Sequence, residues 1–274
     1  MSEHIICIGS SAASLACATY LRRLDKRCRI TMLTAQQEQP YNTCLLSDYV
    51  AGNRDRASLF MPIPEQVTII YNARVKALHR ELKKVITPDG EYFYDKLFIG
   101  IGLAARIPAW AQAHLYTKVF PYKTLRDVDI IRAHHIHDGA RVLVVGGGLT
   151  GIELCQALVP FGYSVTLAEK NDRLAQQDAC ELLRDAGVTV LLNCEVAQGD
   201  SALFDIIFLA TGGVPATDFL QGQLVLDEGF IVVDGTQQTS DGAICAGGDC
   251  VRGRTLWRDA LHDGTRAART MLLL

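Results

Sequence analysis

Two segments of the chain share one design, and this repetition limits the possible folds more than any other feature. The first is "HIICIGSSAASLACATYLRRLDKRCRITMLTA" (4–35) and the second is "ARVLVVGGGLTGIELCQALVPFGYSVTLAEK" (140–170). Each runs from a short β-rich strand through a turn of small residues into an amphipathic helix, and then into a second β-rich strand. This order is typical of a βαβ unit, in which the two strands pair in parallel. Two copies in 274 residues predict an α/β chain with two separate parallel sheets.

The turn in the second segment carries a G-x-G-x-x-G pattern at Gly146, Gly148 and Gly151. In Rossmann-like units the first glycine makes the tight turn, the second lets the backbone approach a pyrophosphate, and the third lets helix and strand pack closely. Glu169 ends the next strand, 18 residues past Gly151, where a carboxylate binds a ribose 2′-hydroxyl and repels a 2′-phosphate. This unit is therefore predicted to bind NADH rather than NADPH, with a glycine turn that holds no ligand as the alternative. The candidate NAD(H)-binding residues are Gly146, Gly148, Thr150, Gly151, Glu169 and Gly212.

The turn in the first segment, "GSSAAS", is a degenerate version of the same pattern. It keeps Gly9 but has Ser11 and Ser14 at the positions of the second and third glycines. Serine is small enough for a phosphate to approach, and its hydroxyl can donate a hydrogen bond. The acid expected after the second strand is replaced by Gln36, with Glu38 close enough to substitute. The sequence therefore leaves two possibilities, a second dinucleotide site or a βαβ unit that has lost its ligand.

Composition and charge exclude several classes of function. Hydrophobic residues make up 49% of the chain and the net charge is −3, so nothing favours nucleic acid or an anionic membrane as a partner. No apolar run approaches the roughly 18 residues that a membrane helix needs. The N-terminus "MSEHIICIGS" is not a signal peptide, so we expect a cytoplasmic protein with reduced thiols. The nine cysteines show no CxxC pair, and no metal site is predicted.

Four further motifs resemble the two-dinucleotide-domain FAD/NAD(P)H oxidoreductases of the pyridine nucleotide-disulfide oxidoreductase superfamily. Within it, the sequence is most similar to the NADH rubredoxin and ferredoxin reductases and to the flavoprotein part of nitrite reductase. The resemblance runs almost from end to end. The motifs are "YDKLFIGIGLAARIP" (94–108), "LATGGVP" (209–215), "GFIVVDGTQQTSDGAICAGGDC" (229–250) and "LWRDALHDGTRAA" (256–268).

The resemblance implies two Rossmann-like, three-layer ββα domains, with the NAD(H)-binding domain (109–216) inserted into a discontinuous FAD-binding domain (1–108 plus 217–274). FAD and NADH are the implied cofactors. Family members usually carry a further C-terminal interface domain, which this sequence lacks after Leu274. We therefore expect a minimal member of this family, and the oligomeric state stays open. The residues implied to bind FAD are Gly9, Ser10, Ser11, Ala13, Gln36, Thr43, Gly102, Gly248, Asp249 and His262.

The implied reaction is electron transfer from NADH through FAD to a small acceptor protein of the rubredoxin or ferredoxin type. Glu153 matches a family glutamate that lies near the nicotinamide and the flavin, and it is the candidate catalytic residue. The usual partner of that glutamate is a lysine, but here the residue is Asp48. Two facing carboxylates would raise one pKa instead of forming an ion pair.

Cys44, in "YNTCLLSDYVAG" (41–52), separates the two enzymatic hypotheses. It aligns with the single redox cysteine of NADH peroxidases and coenzyme A disulfide reductases, so a thiol-active enzyme is the alternative function. Ala12 and Leu45, however, replace a histidine and a glycine that accompany that cysteine, which favours a packing role. A non-catalytic dinucleotide-binding module is the third hypothesis.

Overall fold

The computed structural model describes residues 2–134, 136–220, 222–253 and 256–273. The chain forms two compact units. We call the first the terminal unit, because it holds both chain ends; it consists of Met1–Asn42, Phe60–Leu103 and Pro215–Leu274. The second, the inserted unit, consists of Thr43–Leu59 and Ala104–Val214.

The described residues contain strands and helices in the following chain order. The strands are β1 (His4–Ile8), β2 (Arg29–Leu33), β3 (Val67–Ile70), β4 (Ala77–His79), β5 (Lys84–Thr87), β6 (Gly90–Phe93), β7 (Lys96–Ile99), β8 (Ala104–Ala105), β9 (Val119–Pro121), β10 (Arg141–Val145), β11 (Ser164–Ala168), β12 (Thr189–Leu191), β13 (Ile206–Leu209), β14 (Gly213–Val214), β15 (Leu226–Asp227), β16 (Phe230–Ile231) and β17 (Ile244–Ala246). The helices are α1 (Ala12–Leu24), α2 (Leu46–Val50), α3 (Leu125–Ala133), α4 (Leu149–Leu158), α5 (Ala179–Asp185) and α6 (Trp257–Leu273).

The terminal unit is built on a parallel sheet with strand order β17-β7-β1-β2-β3. Successive side chains of β1 point to opposite faces of this sheet. Ile5 and Cys7 pack in one core with residues of α1 and α6. Ile6 and Ile8 pack in another core, which includes residues of the antiparallel sheet β4-β5-β6. The three layers that the sequence predicted are therefore confirmed.

Helices α1 and α6 are the partners on the helical face of the terminal sheet. Their backbones approach so closely that a Cβ on Gly264 would lie 2.1 Å from the carbonyl oxygen of Ala13. Only glycine fits at such a crossing. Helix α6 is thus part of the core of this unit.

The inserted unit has its own parallel sheet, with strand order β12-β11-β10-β13-β9. Leu143, Ile207 and Leu209 lie fully or almost fully buried in one of its cores. Helix α4 follows β10 directly and gives way to a 3-10 turn that contains Pro160 and ends at Gly162, whose φ is +73°. These two residues end the helix, because proline breaks a helix and glycine accepts the left-handed conformation.

The unit boundaries differ from the expected ones at three places. Residues 104–108 belong to the inserted unit, and residues 215–216 belong to the terminal unit. The largest difference is Thr43–Leu59, which packs with the inserted unit although the sequence placed residues 1–108 together. The physical reason is side-chain bonding across this unit, because Tyr49 and Arg56 both donate hydrogen bonds to Asp129 of α3. No helix in the described ranges is both long enough and apolar enough to cross a membrane.

Candidate functional site

The glycine-rich turn between β10 and α4 holds two glycines that the fold itself requires. Gly146 has a φ of +110°, and a Cβ there would lie 2.4 Å from the carbonyl oxygen of Ala210. A Cβ on Gly151 would lie 1.9 Å from the carbonyl oxygen of Gly146. Both positions therefore exclude any side chain for reasons of packing, as the pattern predicts for its first and third glycines.

Gly148, the middle glycine, differs because nothing in the protein requires it. It is the N-cap of α4, with φ −69° and ψ 172°, which any residue adopts. A Cβ at this position would meet no atom within 4 Å. The turn therefore leaves open space in front of the N-terminus of α4, where backbone N–H groups and the helix dipole favour an anion. This arrangement fits the pyrophosphate of a dinucleotide.

Glu169 lies directly after β11, buried beside the same turn. One carboxylate oxygen accepts a hydrogen bond from the N–H of Gly147 at 2.6 Å, and the other accepts from the N–H of Asn171 at 2.8 Å. The sequence predicted Glu169 as a ligand of the ribose, which stays a prediction. It did not reveal what the structure shows, that the carboxylate holds the glycine turn against the end of β11.

The remaining candidate residues of the inserted unit lie along the same edge of the sheet. Thr150 is exposed in the first turn of α4. Gly212 follows β13 with a φ of +80°, and its carbonyl accepts a hydrogen bond from the N–H of Arg106 at 3.0 Å. Because β10, β11 and β13 run parallel, their carboxyl ends meet at one edge, which is where α/β sheets bind ligands.

Glu153 is an exposed residue of α4, the helix against which α2 packs. Burial raises the pKa of its carboxyl, a hydrogen bond from Ser47 opposes this, and the charge of Asp48 raises the pKa further. The direction agrees with the expectation from a facing pair of carboxylates. Asp48 also pairs with Arg54 at 3.1 Å, a partner that the sequence did not suggest. The hydroxyl of Tyr122 is buried and has no hydrogen-bond partner among the described residues. Burial, followed by the charges of Glu153 and Asp48, raises its pKa.

Thr43 and Cys44 begin the segment that packs with the inserted unit. Both are exposed and lie in a single 3-10 turn, Thr43–Leu45. The packing role that the sequence favoured for Cys44 is therefore wrong, because this turn holds no buried residue. The thiols of Cys155 and Cys245, by contrast, are buried, and burial raises the pKa of each to about 12. Such thiols have little thiolate at neutral pH and behave as small apolar side chains.

The first glycine turn, between β1 and α1, is completed by residues far away in the sequence. Gly9 has a φ of +93°, and a Cβ there would lie 2.5 Å from the carbonyl oxygen of Gly100. Ser14, at the position of the third glycine, is buried, and its hydroxyl donates to the same carbonyl at 3.5 Å. A Cβ on Gly100 would lie 2.3 Å from that hydroxyl oxygen. The serine that replaces a glycine in α1 is therefore accommodated by a glycine after β7, a compensation that the sequence did not reveal.

The two serines before Ser14 hold the turn together. The Ser11 hydroxyl caps α1 by accepting from the N–H of Ser14 at 3.3 Å. The Ser10 hydroxyl lies 2.9 Å from the hydroxyl of Thr34, which also accepts from the N–H of Gln36 at 3.2 Å. The degenerate turn thus keeps its shape and the short polar groups at the start of α1.

The other candidate FAD residues occupy three places in the terminal unit. Gly102, after β7, has a φ of +61° and open space around it, and Gln36 is half-buried after β2. Gly248 and the half-buried Asp249 follow β17, where a Cβ on Gly248 would lie 3.2 Å from the Cβ of Ala13. The ends of β1, β2, β7 and β17 meet at the carboxyl edge of the parallel sheet, so the structure brings these residues to one edge. His262, exposed in α6, lies six residues into that helix counted from Trp257.

The described residues contain no group of three or more His, Cys, Asp or Glu side chains that could hold a metal ion. The two glycine turns, each at the carboxyl edge of its own parallel sheet, are therefore the features that point to ligands in this part of the chain.

Comparison with known proteins identifies relatives of the whole chain. A family profile described as "Pyridine nucleotide-disulphide oxidoreductase" matches residues 3–264. A probable ferredoxin reductase of Castellaniella defragrans is 32% identical over 279 residues, covering 90% of this chain and 68% of the relative. The rubredoxin-NAD(+) reductase of Pseudomonas putida is 26% identical, covering 92% of this chain and 73% of that protein. A solved putidaredoxin reductase–putidaredoxin complex shares the fold, with a TM-score of 0.89 at 23% identity over 98% of this chain and 75% of that chain.

Proposed function

The chain belongs to the pyridine nucleotide-disulphide oxidoreductase family, and from this we propose that it oxidises NADH and passes the electrons to a small redox protein. Enzymes of this family are NAD(P)H-dependent flavin oxidoreductases that use FAD and NAD(H). When bound, these cofactors supply hydride transfer from the nicotinamide to the flavin. The contribution of the chain is to bind and orient them.

The observation that carries the proposal is the open position at Gly148 beside the buried carboxylate of Glu169. The backbone at Gly148 and the N-terminus of α4 would hold the pyrophosphate of NADH, and Glu169 would accept from the adenosine ribose. Thr150 and Gly212 line the same edge of the sheet. We propose Glu153 as the acid that lies next to the nicotinamide in the loaded enzyme.

In the terminal unit we propose that FAD binds along the carboxyl edge of the sheet. Gly9, Ser10, Ser11 and Ala13 would surround its pyrophosphate at the start of α1. Asp249 would accept hydrogen bonds from the ribityl chain or the pyrophosphate bridge, with Gly248 allowing close approach. The other residues of this unit proposed for the site are Gln36, Gly102 and His262. The sequence assigned Thr43 to it as well, but Thr43 belongs to the inserted unit.

The proposed electron acceptor is a rubredoxin or a ferredoxin. Support comes from the relatives, which are named a probable ferredoxin reductase and a rubredoxin-NAD(+) reductase. The comparisons do not favour the alternative in which Cys44 is a redox centre. Since the family consists of enzymes, we do not retain the hypothesis of a non-catalytic module.

The substitution Gly148→Ala tests the nucleotide site, because it separates ligand binding from folding. The backbone at Gly148 suits alanine and no protein atom opposes the methyl group, so we expect an unchanged melting temperature. The methyl group would enter the space assigned to the pyrophosphate, so the Kd for NADH should rise about tenfold or more, equivalent to about 1.4 kcal/mol. Binding is measured by titration of the FAD-loaded protein with NAD⁺ and by anaerobic bleaching of the flavin bands with NADH.

Gly235→Ala is the matched control, because a methyl group on Gly235 would also meet no protein atom within 4 Å and this residue lies in the terminal unit. It should leave both the melting temperature and NADH binding unchanged. An unchanged Kd for NADH in Gly148→Ala contradicts the assignment of the site. The acceptor is tested separately, by the rate at which the wild-type enzyme and NADH reduce a purified rubredoxin or a [2Fe–2S] ferredoxin. Reduction of neither protein contradicts the proposed acceptor class.

A further inference from the structure

Tyr49 of α2 is attached to α3 at three points. Its hydroxyl donates to Asp129 at 3.0 Å, and the guanidinium of Arg132 lies 4.6 Å from the centre of its ring. Arg132 also donates hydrogen bonds to the backbone carbonyl of Tyr49 and, at 3.3 Å, to that of Val50. These carbonyls lie at the C-terminal end of α2, where a cation is favoured by the helix dipole. The ring, the hydroxyl and the carbonyl of one residue are thus all held by α3.

Asp129 also holds the loop that follows α2. Arg56 donates to its carboxylate from Nε at 3.0 Å and from Nη2 at 2.9 Å, a two-pronged arrangement. An exposed ion pair alone contributes only about 0–1 kcal/mol. Here, however, the same carboxylate binds Tyr49, which is almost fully buried, so the contacts form a network. Asp129 and Arg132 stand three residues apart on α3 and therefore face the same side of it.

The opposite attachment of α2 is to α4. The two helices pack against each other. Two residues of α2 act on the pKa of the Glu153 carboxyl, Ser47 lowering it as a hydrogen-bond partner and Asp48 raising it by its charge. Ser47, Asp48 and Tyr49 are consecutive, so they are separated by about 100° each around the axis of α2. Holding Tyr49 on α3 therefore sets the rotation of this short helix, and the rotation decides which side chains face Glu153.

From this geometry we propose that Asp129 and Arg132 are positioning residues, which hold α2 so that Ser47 and Asp48 face Glu153 during oxidation of NADH. The inference rests on the proposed function, because it takes Glu153 to be the acid beside the nicotinamide. It adds a set of residues on α3 that touch neither the glycine turn nor Glu153. Their effect passes through α2.

The environment of Glu153 explains why a displacement of α2 would alter the reaction. The groups that act on its carboxyl are Ser47 and Asp48 from α2, and its charge in turn acts on Tyr122, which follows β9. Asp48 is itself paired with Arg54, in the loop after α2. Release of α2 from α3 would remove one hydrogen bond and one negative charge from Glu153 together. Its protonation, and with it the pH profile of flavin reduction, would change.

The test uses two variants, Asp129→Asn and Arg132→Met, each with a matched control. Asp205→Asn disrupts another two-pronged pair in the inserted unit, in which Arg141 donates to Asp205 at 3.0 and 3.3 Å. Arg126→Met removes an exposed arginine from α3 itself. All four proteins are loaded with FAD. Hydrogen exchange of the amides in 43–59 is measured first, followed by the rate of flavin reduction by NADH in single turnovers across a range of pH.

We expect faster amide exchange in 43–59, flavin reduction slowed by roughly fivefold to tenfold, and a displaced pH profile in the two variants but not in the controls. In a Glu153→Gln background, the same two substitutions should slow reduction by less than about twofold, because the residue through which they act is already changed. The Kd for NADH should stay at the wild-type value in Asp129→Asn, Arg132→Met and the two controls.

Two results would overturn the inference. One is faster exchange with unchanged reduction, and the other is an equal slowing in the wild-type and Glu153→Gln backgrounds. Tyr49→Phe is a milder variant that keeps the ring on Arg132 and loses only the bond to Asp129, so it should show a smaller change of the same sign. Failure of the proposed function is distinguishable, because it appears as unchanged NADH binding in Gly148→Ala.

Discussion

The substitution Glu169→Gln probes the observed support of the glycine turn by this residue and its proposed selection of NADH. The two carboxylate oxygens accept one backbone N–H each, from Gly147 at 2.6 Å and from Asn171 at 2.8 Å. Glutamine has the same shape but only one acceptor oxygen, because its other terminal group is an NH₂ donor. One of the two N–H groups would therefore face a donor. The contact to Gly147 is the buried one, so its loss costs more.

The size of the effect follows from the two contributions. A hydrogen bond to a charged group contributes about 1.5–3 kcal/mol, and a buried donor without an acceptor costs about 1–3 kcal/mol. Because glutamine keeps one of the two bonds, we expect the free energy of unfolding to fall by about 2–4 kcal/mol. For a chain of this size that loss corresponds to a melting temperature lowered by roughly 5–10 °C.

Thermal unfolding and nucleotide titration check the two roles separately. Glu195→Gln is the control, because Glu195 is exposed in the same unit and its substitution should change the free energy by no more than about 0.5 kcal/mol. Glu169→Gln should also lose selectivity for NADH over NADPH by about tenfold, since the charge that repels a 2′-phosphate is gone. A melting temperature equal to that of the control would refute the turn-support argument. Unchanged selectivity would refute the ribose assignment.

Two further predictions concern titration and the C-terminal helix. Burial and Asp48 raise the pKa of Glu153 above its unfolded value of about 4.3, so the folded state binds more protons and wild-type stability should fall as pH rises through the window between the two values. In Glu153→Gln, the free energy of unfolding measured by urea titration should not fall over this pH window. The same decrease in the variant would contradict its assignment to Glu153. Lys96 is buried and binds both Glu3, at 2.8 Å, and the backbone carbonyl of Met271 in the last turn of α6. Lys96→Met should therefore lower the free energy of unfolding by about 1–3 kcal/mol, and an unchanged urea midpoint would count against this role.

The parts of the fold that are coded locally were predictable from the sequence. The helix α4 and the strands on either side of it follow from periodicity, and the turn before it follows from Gly146 and Gly151, which the packing requires. The three-layer plan and the family were also predictable, because the four motifs stand in the family's order. Which ligand atoms each site residue contacts stays a prediction.

Long-range pairings were not predictable, because each member of a pair looks unremarkable alone. In the sequence, Ser14 only breaks the glycine pattern of the first turn. In the structure it lies against Gly100, 86 residues away, where the missing side chain leaves room for the serine hydroxyl. Segment 43–59 follows β2 in sequence, which is why the sequence assigned it to the terminal unit. Its side chains find their partners on α3 instead, about 80 residues further along the chain.

The sequence by itself determined that two parallel sheets form and that in each sheet a small-residue turn joins a strand to the next helix. It also placed an acid, Glu169, at the end of the strand that follows the second of these helices. These properties depend on neighbours in the chain, through strand and helix periodicity and the steric freedom of glycine. Tertiary structure decided which backbone N–H groups the carboxylate of Glu169 binds and how Ser14 is accommodated. It also decided that α2 belongs to the inserted unit. Those outcomes depend on atoms brought within about 3 Å by packing of distant segments, and no local pattern records such a distance.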